Sequence, residues 1–383
     1  MPRNFVICCD GTSNQFSTNN TNVVRLVQVL KRDLDQHVYY DPGVGTFPEP
    51  GWVTAFGRWI SDLGGLAFGA GLAWKVQEAY CYLMNYWEQG DRVFLFGFSR
   101  GAYTVRVLAG LLHELGLLSR GADNLVPYAI RLFKTAPSDH QPAHETARSG
   151  YWKLRDEFRR TLARPTSDGS RRFSVHFVGL WDTVSSVGWV WDPARFPFTA
   201  HNPGIGIIRH AVSVDERRWF FRQNLMEPVD GQDLQQVWFP GVHCDVGGGY
   251  PESRGDLWRL AFEWMLTEGK KAGLRVDQEL EASVLSSSTA STPPWTAKQN
   301  ESLTPLWWPA EFFPKLSRRQ GSSWPVPQVG LGRHRRIRPG ELMQKATLLR
   351  IRDTPYAPPN LSNKFLQHVR TLTTMPDALP YEP

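Results

Sequence analysis

The chain has 383 residues, of which 41% are hydrophobic, 13% aromatic and 21% charged. That is enough apolar matter for a large core, in one big domain or two ordinary ones, and too few charges for a disordered chain. A formal net charge of +6 favours anionic partners. No apolar run reaches the roughly 18 residues of a membrane span, since the closest, 52–76, is broken by Arg58, Asp62 and several glycines. The start, "MPRNFVICCDGT", lacks the apolar stretch of a signal peptide, so synthesis in the cytoplasm without such a peptide is expected. Cys8, Cys9, Cys81 and Cys244 have no metal-ligand spacing and suit a reducing compartment, and no cofactor or metal is expected.

In chain order, "NFVICC" (4–9) reads as a short buried strand ending at "DGTSN". "TNVVRLVQVLKRD" follows with apolar residues at helical spacing and Thr21 or Asn22 as N-cap. "HVYY" (37–40) is a second strand closed by "DPGVGT", and 67–89 is a long helix stopped near Gly90. The strand "RVFLFGF" then runs into a helix over 100–115, stopped by Gly116. Alternation of this kind predicts an α/β fold, a mostly parallel sheet covered by helices on both faces. Residues 119–170 change character and read as a helical insertion containing "LVPYAIRLFKTA" and "GYWKLRDEFRRTLAR". The strand pattern resumes at "RRFSVHFVGLWDTV", "IIRHAVSVDE" and "QQVWFPGVHCDVGGG", followed by a helix over about 256–268. Beyond 281 the chain is rich in Ser, Pro and Trp and reads as an irregular extension (281–383) packed on a single domain of 1–383. The basic run "RHRRIR" (333–338) has no aromatic between its charges and reads as a solvated face. An anionic lipid surface comes second there; nucleic acid is not expected as a partner.

The stretch "GFSRGA" poses the chemical question. Glycines two positions either side of Ser99, between a strand and a helix, suggest a turn that exposes the hydroxyl on strained backbone. Serine is a poor nucleophile until an imidazole takes its proton and a carboxylate fixes that imidazole. Asp182 after "SVHFVGLW" and His243 after "VWFPGV" each end an apolar strand, which brings all three to one edge of a parallel sheet. Asp215 competes for the acid and His210 for the base, whereas His176 and His113 read as structural. An oxyanion needs backbone N–H groups, and Arg100, following the nucleophile, supplies one. "CDGTSN" supplies the other through Gly11 or Thr12, unless it is an ordinary Asp-Gly turn. Asp245 is expected to order the loop after His243, with a divalent cation among Asp10, Asp182 and Asp245 as a weaker alternative. The segment 185–206 reads as a lid, its Trp189, Trp191, Phe196 and Phe198 forming an acyl-chain wall. Trp307, Trp308, Phe312 and Phe313 either add an interfacial patch or pack the extension onto the core.

The chain resembles the catalytic domain of bacterial type VI secretion phospholipase effectors with the G-F-S-R-G-A elbow, and related α/β-hydrolase domains. The matching pieces are "CDGTSN", "TNVVRL", "YYDPGVGT", "GFSRGAYTVRVLAGLL", "VGLWDTV", "HAVSVDERR", "VWFPGVHCDVGGGY" and "LLRIRDTPYAPPNL". The resemblance implies an α/β-hydrolase-like fold, a triad of Ser99, Asp182 and His243, and hydrolysis of phospholipid acyl esters with A-type positional specificity. It also implies delivery to the periplasm or membrane of a rival cell, a secretion-apparatus partner and neutralisation by an immunity protein. The chain departs from the pattern at "GELMQKATLLR", where a histidine is expected near Gln344. An esterase or lipase on another acyl ester, and a non-catalytic interaction module keeping the elbow, are the alternatives.

Overall fold

The computed structural model describes residues 2–11, 19–43, 66–134, 145–166, 169–184, 196–286, 292–312, 314–318 and 325–383. The first half alternates strand and helix: β1 (Asn4–Cys9), α1 (Asn22–Val29), β2 (Gln36–Asp41), α2 (Leu66–Tyr86), β3 (Arg92–Phe98) and α3 (Arg100–Leu115). Thr21 caps α1 by accepting the Val24 N–H at 3.2 Å, as its position in the sequence suggests. Two helices, α4 (Val126–Lys134) and α5 (Glu145–Leu162), occupy the expected insertion. Then come β4 (Val175–Trp181), β5 (Ile205–Ser213), β6 (Asp233–Phe239), α6 (His243–Gly247), α7 (Trp258–Lys271) and α8 (Gln278–Ser286). The extension holds α9 (Trp308–Glu311), a hairpin of β7 (Lys315–Arg318) and β8 (Pro325–Gln328), β9 (Leu342–Gln344), α10 (Lys345–Asp353), α11 (Asn363–Thr371) and β10 (Ala378–Pro380).

Among the described residues, eight strands form one sheet in the order β10-β9-β6-β5-β4-β3-β1-β2. All pairings are parallel except β9 with β10. The chain steps outward from β1 to β2, then returns across β1 to β3 and continues the other way. Such a reversal opens a crevice at the carboxyl ends of the strands on either side of it. Register carries those ends into line, with Cys9 opposite Gly97, Phe98 opposite Trp181 and Ser213 opposite Phe239.

The two sheet faces are read directly from the strands' alternation. Phe5, Ile7, Cys9, Val93 and Leu95 pack under α2, α3 and α4. Val6, Cys8, Phe94, Phe96 and Phe98 pack on the other side with Val23, Leu26, Phe262 and Met265 of α1 and α7. Burial on both faces explains why these strands read as unbroken apolar runs.

The extension is more regular than its composition suggests. β9 pairs with β6 and carries the main sheet outward, β10 closes that edge antiparallel, and α10 and α11 bury Leu348, Ile351, Phe365 and Val369 against Val212 and Trp238. Gln344, where a histidine is expected by resemblance, caps α10 by accepting the Ala346 N–H. Short elements separated by prolines leave too little periodicity to announce themselves.

The glycine run after His243 has a steric reason. A Cβ at Gly247 would overlap the ring of Phe98, so α6 seats against the end of β3 only without one. Gly247→Ala is expected to lower stability by about 1–3 kcal/mol, read from a denaturant midpoint, because the methyl forces α6 off Phe98.

Candidate active site

Ser99 lies between the last residue of β3 and the first of α3, with φ 59° and ψ −122°. Serine rarely adopts that conformation, which costs about 1–3 kcal/mol. The surroundings impose it. Ser99 N–H donates to Trp181 O at 3.0 Å, and Val184 N–H donates to Ser99 O at 3.4 Å, which ties the elbow to the exit of β4. A Cβ at Gly97 would lie 2.6 Å from the Ala102 backbone, and one at Gly101 would overlap the carbonyls of Cys9 and Asp10. Both glycines of the motif are therefore required by close approach, α3 starting directly over the end of β1.

The structure brings the three sequence-derived candidates together. Ser99 Oγ lies 2.9 Å from His243 Nε2, and His243 Nδ1 lies 2.5 Å from Asp182 Oδ2. All three are buried. An ionised Asp182 accepts, so Nδ1 carries the proton and Nε2 is left to accept from the serine hydroxyl. His243 opens α6 rather than ending a strand, and its ring sits against Phe98 at 4.7 Å and Phe221 at 4.8 Å between centroids. Burial among these rings disfavours the imidazolium and lowers the His243 pKa from its ordinary value; Asp182 pulls the other way and Arg218 adds to the lowering.

Asp182, like Ser99, has a positive φ, 40°, and its carboxylate is fully committed. Oδ1 accepts Ser213 N–H at 2.8 Å and Ser213 Oγ–H at 3.0 Å. Arg335 adds a fork, Nη1 to Oδ1 at 2.5 Å and Nη2 to Oδ2 at 2.9 Å. The guanidinium and the imidazole together hold this carboxyl far below the usual range despite its burial. Arg335 belongs to "RHRRIR", so a residue expected on a solvated basic face is 2% exposed and pairs with the acid of the site.

The loop after β5 supports the histidine. Glu216 Oε2 accepts the His243 backbone N–H at 3.1 Å, while Oε1 accepts from Arg218 Nε at 3.0 Å and Ser302 Oγ at 2.9 Å. The Arg218 guanidinium stacks on Phe221 at 3.6 Å, and Trp307 meets the same ring at 5.5 Å. Asp215, the competing acid, instead accepts Gly241 N–H at 2.7 Å and Tyr356 Oη–H at 2.6 Å, and burial raises its pKa to about 6. His210, the competing base, lies in the second half of β5; Thr183 N–H donates to its Nε2 at 3.3 Å, and burial drops its pKa to about 4. It steadies the residue after Asp182 from behind. His113 and His176 meet Phe198 and the Ala272 carbonyl, as structural histidines do.

Other expectations fall differently. Gly11 N–H donates to Asp10 Oδ1 at 2.7 Å, so this amide is spent on its own turn and is not presented to an oxyanion. Arg100 stands first in α3, as expected. Asp10 also accepts from Thr21 Oγ1 at 2.6 Å, and Asp245 accepts Val242 N–H at 3.0 Å and Asn300 Nδ2 at 2.7 Å, which orders the loop as read from the sequence. The three carboxylates are thus dispersed onto separate protein donors, and among the described residues no three or more His, Cys, Asp or Glu side chains converge as a metal site would need. Phe196 and Phe198 pack inward, Phe196 on Tyr103 and Phe133 and Phe198 on His113, so they belong to the core rather than to an acyl-chain wall. Trp307 is half-buried against the site, while Trp308 and Phe312 are exposed. Thr12, Trp189, Trp191, Phe313 and the 185–195 part of the lid segment lie outside the described residues. Because glycine takes this backbone conformation without strain, Ser99→Gly is expected to raise stability by about 1 kcal/mol, read from the denaturant midpoint.

A family model described as "T6SS, Phospholipase effector Tle1-like, catalytic domain" matches residues 3–268. The uncharacterized protein YEL023C of Saccharomyces cerevisiae is 36% identical over 234 residues, which is 59% of this chain and 33% of the yeast protein. The chain thus spans about a third of that relative's length. Among solved structures, an uncharacterized protein from Pseudomonas aeruginosa aligns over 73% of this chain and 48% of its own, at 19% identity and a TM-score of 0.41. The Tle1 effector bound to the VgrG spike of the type 6 secretion system aligns over 65% and 51%, at 18% identity and a TM-score of 0.36. Through residues 3–268 this chain belongs to the Tle1-like family of type VI secretion phospholipase effectors, as a bearer of their catalytic domain.

Proposed function

We propose that the protein is a serine hydrolase that cleaves acyl esters of phospholipids. The observation that carries this reading is the continuous hydrogen-bonded line from Ser99 Oγ through His243 to Asp182 at 2.9 and 2.5 Å. His243 Nε2 takes the serine proton as Oγ attacks the ester carbonyl, and Asp182 steadies the imidazolium that forms. The oxyanion rests on the Arg100 N–H, where the first turn of α3 also offers its positive dipole end. The second donor is assigned to the stretch following Gly11, with Thr12 as the candidate. His243 then protonates the leaving alcohol, and a water activated by the same imidazole frees the acyl group from Ser99.

Phospholipid as substrate, A-type cleavage, delivery to the periplasm or membrane of a target cell, a secretion-apparatus partner and an immunity protein are proposed, with family membership as their support. A second reading has its own support. In the yeast relative the matched 234 residues make up 33% of the protein, so the same region occurs in a eukaryotic chain of different make-up, which favours a domain whose acyl-ester chemistry is not tied to a delivery route.

Two outcomes check the catalytic reading. Ser99→Ala is expected to lower fatty-acid release from phospholipid vesicles by at least about a thousandfold and to abolish labelling by a fluorophosphonate probe. A folded wild type that neither labels nor releases lipid points instead to a non-catalytic module. Because burial lowers the His243 pKa, its base form persists to lower pH than a free imidazole's. The acid limb of kcat/KM is therefore expected to have its midpoint below about pH 6.5, measured with a soluble short-chain ester.

A further inference from the structure

We infer that Arg335 is a positioning residue of this site: its guanidinium fixes the plane in which the Asp182 carboxylate receives His243, and takes up part of the negative charge that would otherwise favour a protonated imidazole. The inference rests on the hydrolase reading for its catalytic consequence, though not for its geometry.

The contact is built as a clamp. Nη1 and Nη2 reach Oδ1 and Oδ2 separately, at 2.5 and 2.9 Å, the bidentate arrangement that only a planar fork can make. The guanidinium is itself held from behind. Nη1 also donates to Ser213 Oγ at 2.7 Å, and Nε and Nη2 both donate to the Phe221 carbonyl. The backbone of Arg335 is anchored as well, its carbonyl accepting from Asn360 Nδ2 at 3.1 Å, while the same amide group donates to Val214 O at 3.0 Å. Arg335 thus bridges the loop bearing the acid and the turn bearing Phe221, whose ring packs on His243. It lies beyond the family match, which ends at residue 268.

The electrostatic consequence has a definite sign. The charged groups acting on His243 are Asp182 after β4 and Glu216 and Arg218 after β5; Cys244, Asp245 and Tyr250 lie around that cluster, and Arg335 stands behind Asp182. Cys244 and Tyr250 are held neutral by burial. Glu216 and Arg218 pair with each other. Asp245 is taken up by Val242 N–H and Asn300 Nδ2, so Asp182 is left as the charge that favours the imidazolium, and Arg335 offsets it. Removing the guanidinium therefore raises the His243 pKa and moves the acid limb of reactivity to higher pH.

The test follows the rate of fluorophosphonate labelling of Ser99 against pH in wild type, Arg335→Gln, Arg335→Lys and Asn360→Ala. Arg335→Gln is expected to shift the acid midpoint upward by about one unit and to cut the plateau rate at least about tenfold. Arg335→Lys keeps the charge and loses the fork, so its midpoint stays within a few tenths of wild type while its plateau falls. Asn360→Ala loosens the same segment without touching the guanidinium, and is expected to lower the melting temperature with no shift in midpoint. An unmoved midpoint in a folded Arg335→Gln overturns the inference, as does a wild-type plateau in Arg335→Lys; the latter decides alone if Arg335→Gln does not fold. If wild type itself fails to label, the hydrolase reading fails, and an NMR titration of the His243 ring decides the electrostatic claim: an upward shift in Arg335→Gln supports it and an unchanged midpoint refutes it.

Discussion

A carboxylate taken out of water must be met by donors that replace its hydration, and Asp182 is the point where the protein meets that demand. Its side chain is wholly buried, and it receives an amide and a hydroxyl from Ser213, an imidazole from His243 and a guanidinium from Arg335, three separate segments of the chain. Stripping one charged partner from such a buried pair typically costs about 3–5 kcal/mol, so each segment is held in place by what it supplies. Once Asp182 is fixed, the tautomer of His243 is fixed, and with it which nitrogen faces Ser99. The positive φ values at Ser99 and Asp182 belong to the same constraint, because each turns a polar side chain back toward the crevice from the end of a strand.

The charge balance of the site follows from this arrangement. Asp182 and Glu216 carry negative charge, Arg335 and Arg218 positive, and the imidazole between them is neutral at rest. Phe98 and Phe221 pack on the ring, and the imidazole is buried, which strengthens every one of these interactions. Balanced charge in a dry setting keeps His243 ready to accept a proton while giving the imidazolium only the support that Asp182 retains.

The elbow and the sheet around it were legible in the sequence because their signals are local. "RVFLFGF" is a buried parallel strand, Gly97 and Gly101 mark close approaches, and the helix that follows is apolar through most of its turns; the structure places both elements over 92–98 and 100–115. Asp182 and His243 were legible because the segments leaving the carboxyl ends of parallel strands share an edge, although His243 opens a short helix there. Arg335 was hidden, since a basic run ordinarily faces solvent. One signal was there to find: Ile337 interrupts the run, and in extended chain a residue two positions away shares its face, so Arg335 and Ile337 turn inward together while Arg336 and Arg338 stay out. Gly11 stays undecided in the sequence for a related reason. An Asp-Gly turn and an oxyanion loop have the same composition, and only the direction of one N–H distinguishes them. The extension was legible as a segment packed on the core, but its regular elements and its partners were not, because its contacts are long-range. Asn300, Ser302, Tyr356 and Asn360 bond to residues lying between 55 and 146 positions away, which no window of sequence can reveal.

The central claim is that the Ser99 hydroxyl, activated through His243, carries the acyl group between substrate and water. Acid-quenched reactions with a phospholipid substrate, digested and analysed by mass spectrometry, test it most directly. The account predicts an acyl ester on the peptide containing Ser99 that builds up early in turnover. Steady lipid cleavage with that peptide unmodified at every time point, or with the acyl group on another residue, would contradict it.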